Sequence, residues 1–472
     1  MKSAKPICAI AMAVFGLLAI PARLAAQDSQ VHHQKYTLSR LSTDTFTNAD
    51  GQHATELEPS TFAFGSTFVA SFEVARGNGH SGGGDIGFAT STDAGVTWTR
   101  GLLSGLTSVR GGTATATGNA VVTYDAAHGV WIITTLLANF NPLTTTLVVV
   151  RSSDGIHWGK PIRVNAKTNP DKPWIGCDNT ATSPFFGHCY VQWDTINVGT
   201  IYFSTSTDGG LTWGKPLKPA GSPLGGNGQL LVQPDGTVVA PIVTTPDNFL
   251  TLNMSAIIST DGGAIWNAPV TISPAVPGHN TFDFRMGINP SARTDGAGNV
   301  YAVWSDCRFR SACSSNDLVI STSSDGAAWT QPARIPIDPT TSTVDHFTPG
   351  LAVDTATSGS RAHLTVTYYS YTHANCTDST CRLNLRFVSS RNGGSTWTAP
   401  QTLAGPMSIT WLANTSLGRD VGDYMAASYV HGKPFGVFAV AHANSGTVFD
   451  QAIYTTKQPL LPPSGSARLD SK

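Results

Sequence analysis

The sequence predicts an all-β chain folded as a β-propeller of four-stranded antiparallel blades, seven in number or alternatively six. Three observations point there. A turn motif of hydroxyl residue, Asp, glycine and Trp recurs six times along the chain. Apolar, β-rich segments flank each copy, as in "STFVASFEV" and "DIGFATS" before the first. The 47 glycines and 28 prolines among 472 residues, with abundant Thr, Ser and Val, favour strands joined by tight turns over helices.

Taken from the N-terminus, "MKSAKPICAIAMAVFGLLAIPARLAAQ" has two lysines, an apolar run from Ile7 to Ile20 and small residues at Ala25 and Ala26. This is the layout of a secretory signal peptide, residues 1–26. The run is shorter than the roughly 20 residues a membrane span needs. Residues 27–57 follow as an N-terminal segment in which "QKYTLSRLS" (34–42) offers one strand without a unit of its own. The repetitive body runs from 58 to 457.

The motif copies are "STDAGVTW" (91–98), "SSDGIHW" (152–158), "STDGGLTW" (206–213), "STDGGAIW" (259–266), "SSDGAAW" (323–329) and "SRNGGSTW" (390–397). Their Asp or Asn positions are separated by 61, 54, 53, 64 and 67 residues. That period suits one four-stranded sheet with its turns, and repetition at this scale implies a solenoid, propeller or array. After the sixth unit, "GDYMAASYVHGKPFGVFAVAHANSGTVFDQAIYTT" (422–456) supplies three strands and no motif. Pairing those three with the 34–42 strand would close a ring and remove its open edges. Residues 458–472 are expected to be a disordered tail.

The motif itself is structural. Asp and Ser or Thr at a turn accept backbone N–H groups, Gly supplies positive φ, and Trp buries a large ring with its N–H satisfied locally. Six copies around a ring cannot assemble one catalytic site. The motif resembles the Asp-box, or BNR repeat, of sialidases and their relatives, and six copies in register cover roughly 58–404. The resemblance implies a β-propeller with the Asp-boxes on the face opposite the active site.

Composition narrows the partners. Formal net charge is −1 and 12% of residues are charged, without a long basic or acidic run, so nucleic acid and anionic membrane surfaces are poor candidates. The chain is expected to be a monomer. Cys8 lies in the signal region, and the six remaining cysteines form the close pairs Cys177 with Cys189, Cys307 with Cys313 and Cys376 with Cys381. Disulfides suit an exported chain better than zinc, because no C-x-x-C or His-x-x-x-His spacing accompanies them. No cofactor is expected; a structural calcium in the axial channel is conceivable and not indicated.

Charged residues are scarce, yet they gather where inner strands start and in the loops between second and third strands. Those positions hold Glu58, Asp171, Lys172, Trp174, Arg285, Asp345, His346, Arg419, Asp423 and Tyr424, with Glu73, Arg76, Asp85, Asp306, Arg308 and Arg310 from the loops. This concentration predicts a polar pocket at the channel mouth. The glycine-rich "GNGHSGGGD" beside it reads as a mobile loop.

By resemblance, sialidase-like enzymes bind an acidic sugar with arginines, protonate the leaving oxygen with an Asp and attack with a Tyr assisted by a Glu. Carried over, the catalytic candidates are Asp85, Glu73, Asp306 and Tyr424. The substrate-binding candidates are Arg76, Arg285, Arg308, Arg419, Asp423, Glu58, Asp171 and Trp174. No metal ligands are assigned. The sequence departs from the sialidase pattern in one respect: no arginine lies between Arg40 and Arg76 to serve as the signature Arg-Ile-Pro, and Arg334-Ile335-Pro336 falls on an outer strand. The leading expectation is a secreted glycoside hydrolase acting on an anionic or complex glycan. The alternatives are a non-catalytic glycan- or protein-binding propeller, and a polysaccharide lyase using His346 or Tyr424 as base.

Overall fold

The computed structural model describes residues 36–78, 82–164, 169–247, 249–461 and 468–470. The signal-peptide assignment (1–26) and residues 79–81 of the glycine-rich loop lie outside the described residues. The described chain consists of strands, turns and four single-turn 3-10 segments. None of its helices is long and apolar enough to cross a membrane.

The strands follow one another as antiparallel meanders. The first runs Gly51–Phe64, Thr67–Gly77, Gly83–Ser91 and Thr99–Leu102, and the second Ala116–Asp125, Val130–Phe140, Leu143–Ser152 and Ile162–Arg163. The third has Pro170–Cys177, Cys189–Thr195 and Tyr202–Ser206, with Leu217 bridging to Phe203 as a residual outer edge. In the fourth, the inner strand is split into Leu224–Gly226 and Leu231–Val232, followed by Val238–Thr245, Asn253–Ser259 and Val270–Ser273. The fifth is Ser291–Thr294, Val300–Asp306, Asp317–Ser323 and Ala333–Arg334; the sixth is Asp345–Val353, Leu364–Tyr371, Arg382–Ser390 and Gln401–Ser408.

The last meander, Ala426–Val430, Lys433–Ala441 and Gln451–Thr456, takes its outer strand from the other end of the chain. Leu38–Arg40 pairs antiparallel with it, in register Leu38 with Thr456 and Arg40 with Tyr454. The tail expected to be disordered also carries structure. Leu460 is buried and bonds to Pro434, and Arg468–Asp470 pairs with Thr396–Thr398 of the sixth motif.

Each Asp motif sits between the third and fourth strands of its meander and is knitted in one way. In the third copy Ser206 Oγ donates to Asp208 Oδ1 (2.9 Å), the Gly210 N–H donates to Ser206 Oγ, and the Leu211 and Thr212 N–H groups donate to Asp208 Oδ1. These donors hold the Asp93 carboxyl down at about 2 and lower those of Asp208 and Asp325. The Trp rings fill the gaps between sheets: Trp266 stacks on Phe203 of the preceding meander at 3.7 Å. Local satisfaction of the indole N–H holds for Trp98, Trp329 and Trp397, which donate to a glycine carbonyl within the motif. It does not hold for Trp158, Trp213 and Trp266, whose buried N–H groups have no partner among the described residues.

Disulfides join Cys177–Cys189, Cys307–Cys313 and Cys376–Cys381, the three pairs expected from spacing. The first ties adjacent strands at directly opposed positions. The other two each clip a short loop.

Candidate active site

The site is made by a defect repeated in the innermost strands. In the first meander, Leu57 pairs with Glu73 and Ser60 with Ser71, so one extra residue is squeezed in at Glu58-Pro59. The same one-residue bulge recurs at Asn119-Ala120, Lys172-Pro173 and Thr348-Pro349. The first residue of each bulge has positive φ: 57° at Glu58, 54° at Asn119, 47° at Lys172 and 48° at Thr348. Bulges re-aim side chains and residues held at positive φ cluster at functional sites. Here they bring Glu58, Asn119 and Lys172, from three consecutive sheets, into one constellation.

Glu58 and Glu73 are 1% and 2% exposed and face one another across Asn119. The Asn119 side-chain amide donates to Glu58 Oε1 (3.0 Å) while its backbone N–H donates to Glu73 Oε1 (3.1 Å). Arg76 Nη1 closes on Glu73 Oε2 at 2.9 Å, and its Nη2 lies 3.2 Å from Asp420 Oδ2. Arg285 reaches the same Asp420 oxygen at 3.0 Å and Asp423 at 2.9 Å. Lys172 also pairs with Asp423, and Asn289 donates to the Asp423 backbone carbonyl (2.6 Å). Gly422 (φ 106°) runs so close to the Glu58 backbone that any Cβ would collide with it, so this approach requires glycine.

Burial first, and then the neighbouring Glu73, push the Glu58 carboxyl well above its ordinary value. Asp420 behaves oppositely. Burial alone would raise it, but Arg76 and Arg285 hold it below its ordinary value. Tyr424 stacks edge-on against Trp174 (5.3 Å), its hydroxyl donating to the Ala120 carbonyl (3.3 Å). Burial, then Glu58 and Glu73, drive its pKa far up, so the phenol keeps its proton. Beside these groups lies a cavity of about 20 Å³, lined by Lys172, Trp174, Asn227, Asn289 and Tyr424, with room for about one water.

Among the predicted site residues, the structure brings together Glu58, Glu73, Arg76, Trp174, Arg285, Asp423 and Tyr424. Asp171 stands at the edge, accepting the Lys172 N–H and paired in register with Asp194. Four others lie elsewhere. Asp85 pairs with Val74 while Glu73 pairs with Ile86, so strand alternation puts Asp85 on the opposite face of the sheet. There it meets Arg110 at 3.7 Å, and burial lifts its carboxyl to about 7. Asp306 accepts from the Trp304 indole and from Arg308, and Arg308 reaches Ser273 of the preceding meander, so both brace the sheets. Arg419 alternates with Asp420 along one hairpin strand and points away, toward Leu412 and Asp283.

Sequence reasoning missed Asn119 and Asp420. Asp420 sits in the same "GRDVGDY" stretch that supplied Arg419 and Asp423, and only the strand's phase separates them. A signal was present for three of the four bulges: an X-Pro pair in "ELEPS", "DKPW" and "FTPG", whereas the bulge at Asn119-Ala120 has none.

No protein-family profile and no curated protein matches the chain. Solved structures do. The chain is similar to an ulvan lyase of a polysaccharide lyase family (TM-score 0.52, 10% identity, 89% of this chain and 95% of that one). It is similar to the endosialidase of phage phi92 (TM-score 0.50, 10% identity, 92% of this chain and 70% of that one). A Hadza microbial sialidase aligns at TM-score 0.46 and 15% identity over 87% of this chain, which spans 66% of the sialidase's length. At these identities the likeness concerns the fold. The chain is an all-β protein whose structural neighbours are of the sialidase-like, propeller type.

Proposed function

We propose that this chain is a glycan-active enzyme, a glycoside hydrolase of sialidase-like architecture, with its chemistry at the Glu58–Glu73–Tyr424 cluster. The observation that carries this reading is the unlike environment of two carboxyl groups beside one tyrosine. Glu58, raised well above its ordinary value, can donate a proton to a leaving oxygen. Glu73, bonded to Arg76 and the Asn119 N–H, can accept one from the Tyr424 phenol as it attacks. Paired titratable groups pushed apart by their surroundings are the usual basis of acid–base division of labour. A tyrosine nucleophile is a known departure from the two-carboxylate scheme.

The constellation argues against the acidic-sugar version of this reading. Arg76, Arg285 and Lys172 already face Glu73, Asp420 and Asp423, so these cations of the cluster are engaged by the protein's own carboxylates rather than open to a substrate carboxylate. The substrate class that fits is a complex glycan presenting an uncharged sugar at the cluster. The upward shift of Tyr424 means that either role, nucleophile or lyase base, needs a proton acceptor such as Glu73, so the product formed separates the two readings. His346 is buried against Asp338, away from Tyr424.

The meanders are read as seven blades, closed into a ring by the pairing of Leu38–Arg40 with Gln451–Thr456. Three disulfides support export. The test is turnover on a panel of chromogenic glycosides and neutral and acidic polysaccharides, with Glu58→Gln, Glu73→Gln and Tyr424→Phe alongside. Hydrolysis lost in all three variants is expected. Binding without turnover would favour a non-catalytic propeller, and an unsaturated product absorbing in the near ultraviolet would favour a lyase; either result overturns the proposal.

A further inference from the structure

A second cavity lies along the inner strands, separate from the carboxyl cluster. It measures about 240 Å³ and is lined by six different meanders, among them Ser60, Thr123, Asn179, Arg293, Thr294 and Thr355. Its polar lining is made of hydroxyls, one amide and one guanidinium. Four other arginines of the interior each face a carboxylate: Arg76 faces Glu73 and Asp420, Arg285 faces Asp420 and Asp423, and Arg310 and Arg334 face Asp317 and Asp338. Arg293 faces none among the described residues. Its Nη1 donates to the Ala292 carbonyl (2.8 Å) and, at long range, to Gln229 (3.5 Å). Its Nε and Nη2 groups have no protein partner among the described residues.

Arg293 is half-buried, and a charge drawn partly out of water favours a counter-charge beside it. Burial alone lowers the Arg293 pKa, to about 10, which still leaves the group charged at neutral pH. The Ser60 hydroxyl accepts the Val122 N–H and keeps its own proton free to donate into the cavity. Fixed positive charge, hydroxyl donors and no carboxylate are the wrong environment for calcium and the right one for an anion.

We propose that this channel binds a small monovalent anion of the halide class, held by Arg293 and the surrounding hydroxyls. One guanidinium matches one negative charge. The site does not depend on the catalytic reading, since it shares none of the Glu58–Glu73–Tyr424 groups.

Two measurements test it. Melting temperature of the full chain is compared in chloride and in gluconate at equal ionic strength, for wild type and Arg293→Met. At a hundredfold excess over Kd, chloride should raise the wild-type Tm by about 3 °C, and the variant should show no difference between the salts. Crystals of the wild type in bromide should show an anomalous peak against the Arg293 guanidinium. An equal Tm in the two salts for wild type, a chloride effect retained by Arg293→Met, or no bromide peak at Arg293 would overturn the proposal.

Discussion

Replacing Asp420 by Asn isolates the electrostatic centre of the site. The substitution keeps shape and removes one charge at a side chain that is fully buried, 3.2 Å from Arg76 and 3.0 Å from Arg285. Arg76 keeps Glu73 and Arg285 keeps Asp423, but both lose their shared counter-charge. Breaking a buried ion pair from one side costs about 3–5 kcal/mol. Unfolding entropy of about 2.1 cal/mol/K per residue makes roughly 1 kcal/mol/K for a chain of 472 residues. The expected fall in Tm at pH 7 is therefore about 3–5 °C, read by calorimetry.

The pH dependence of that difference follows from the direction of the shift. The folded Asp420 carboxyl is held below its unfolded value of about 3.9. Its stabilisation is fully present above that value and is lost as pH falls through the folded pKa. The gap between wild type and Asp420→Asn should thus be constant from pH 5 to 7 and shrink below about pH 4. Adding Arg76→Met to Asp420→Asn should cost less than the two single losses summed, because both substitutions remove the same Arg76–Asp420 pair. A Tm within 1 °C of wild type at pH 7, or a double variant that is additive in its losses, would refute the paired-cation account.

Four further outcomes are expected. Glu58→Gln should lower kcat by about 10²–10⁴ through loss of the proton donor, while leaving the fold intact because the amide has the shape of the carboxyl; kinetics and circular dichroism together check it. Glu56, raised by burial to about 8, should make wild-type stability fall with pH from about 4.5 to about 8, by up to about 1.4 kcal/mol per pH unit. Glu56→Gln should flatten that slope in denaturant titrations. Asp208→Ala should cost about 1 kcal/mol through its turn hydrogen bonds and leave kcat/KM unchanged, since the motif lies away from the cluster. Asp306→Asn should lower Tm by releasing Arg308 and the Trp304 indole while leaving kcat/KM within about twofold, a direct check on its bracing role.

Seven of the twelve site residues chosen from sequence converge, and the reason is topological. A repeat period places a residue at one end of its meander, and Glu58, Trp174, Arg285 and Tyr424 were chosen that way. It does not say which side of a strand a residue takes. Asp85 and Arg419 were misplaced by one residue of strand phase, and Asp420 was passed over for the same reason. Asp306 and Arg308 find partners in each other and in Ser273 rather than joining the Glu58–Glu73 cluster. A turn at Thr245–Thr251 also escaped notice. It copies the Asp-motif bonding, with Asp247 accepting from Thr251, but has neither glycine nor Trp and lies between second and third strands.

What the sequence determined by itself is what local chemistry and repetition encode: the all-β class, the meander boundaries, the structural role of the Asp motif and the three short-range disulfides. Each follows from residues a few positions apart, whose geometry is set before distant segments meet. The tertiary structure alone decided the site. Glu58, Glu73, Asn119, Lys172, Arg285 and Asp420 are spread over more than 350 positions. One-residue bulges bring in Glu58, Asn119 and Lys172, while Glu73, Arg285 and Asp420 come from a second strand, a loop and a separate hairpin. It also decided the pKa shifts. Burial raises the Glu58 carboxyl and two guanidinium groups lower that of Asp420, and neither environment is written in the neighbouring sequence of either residue.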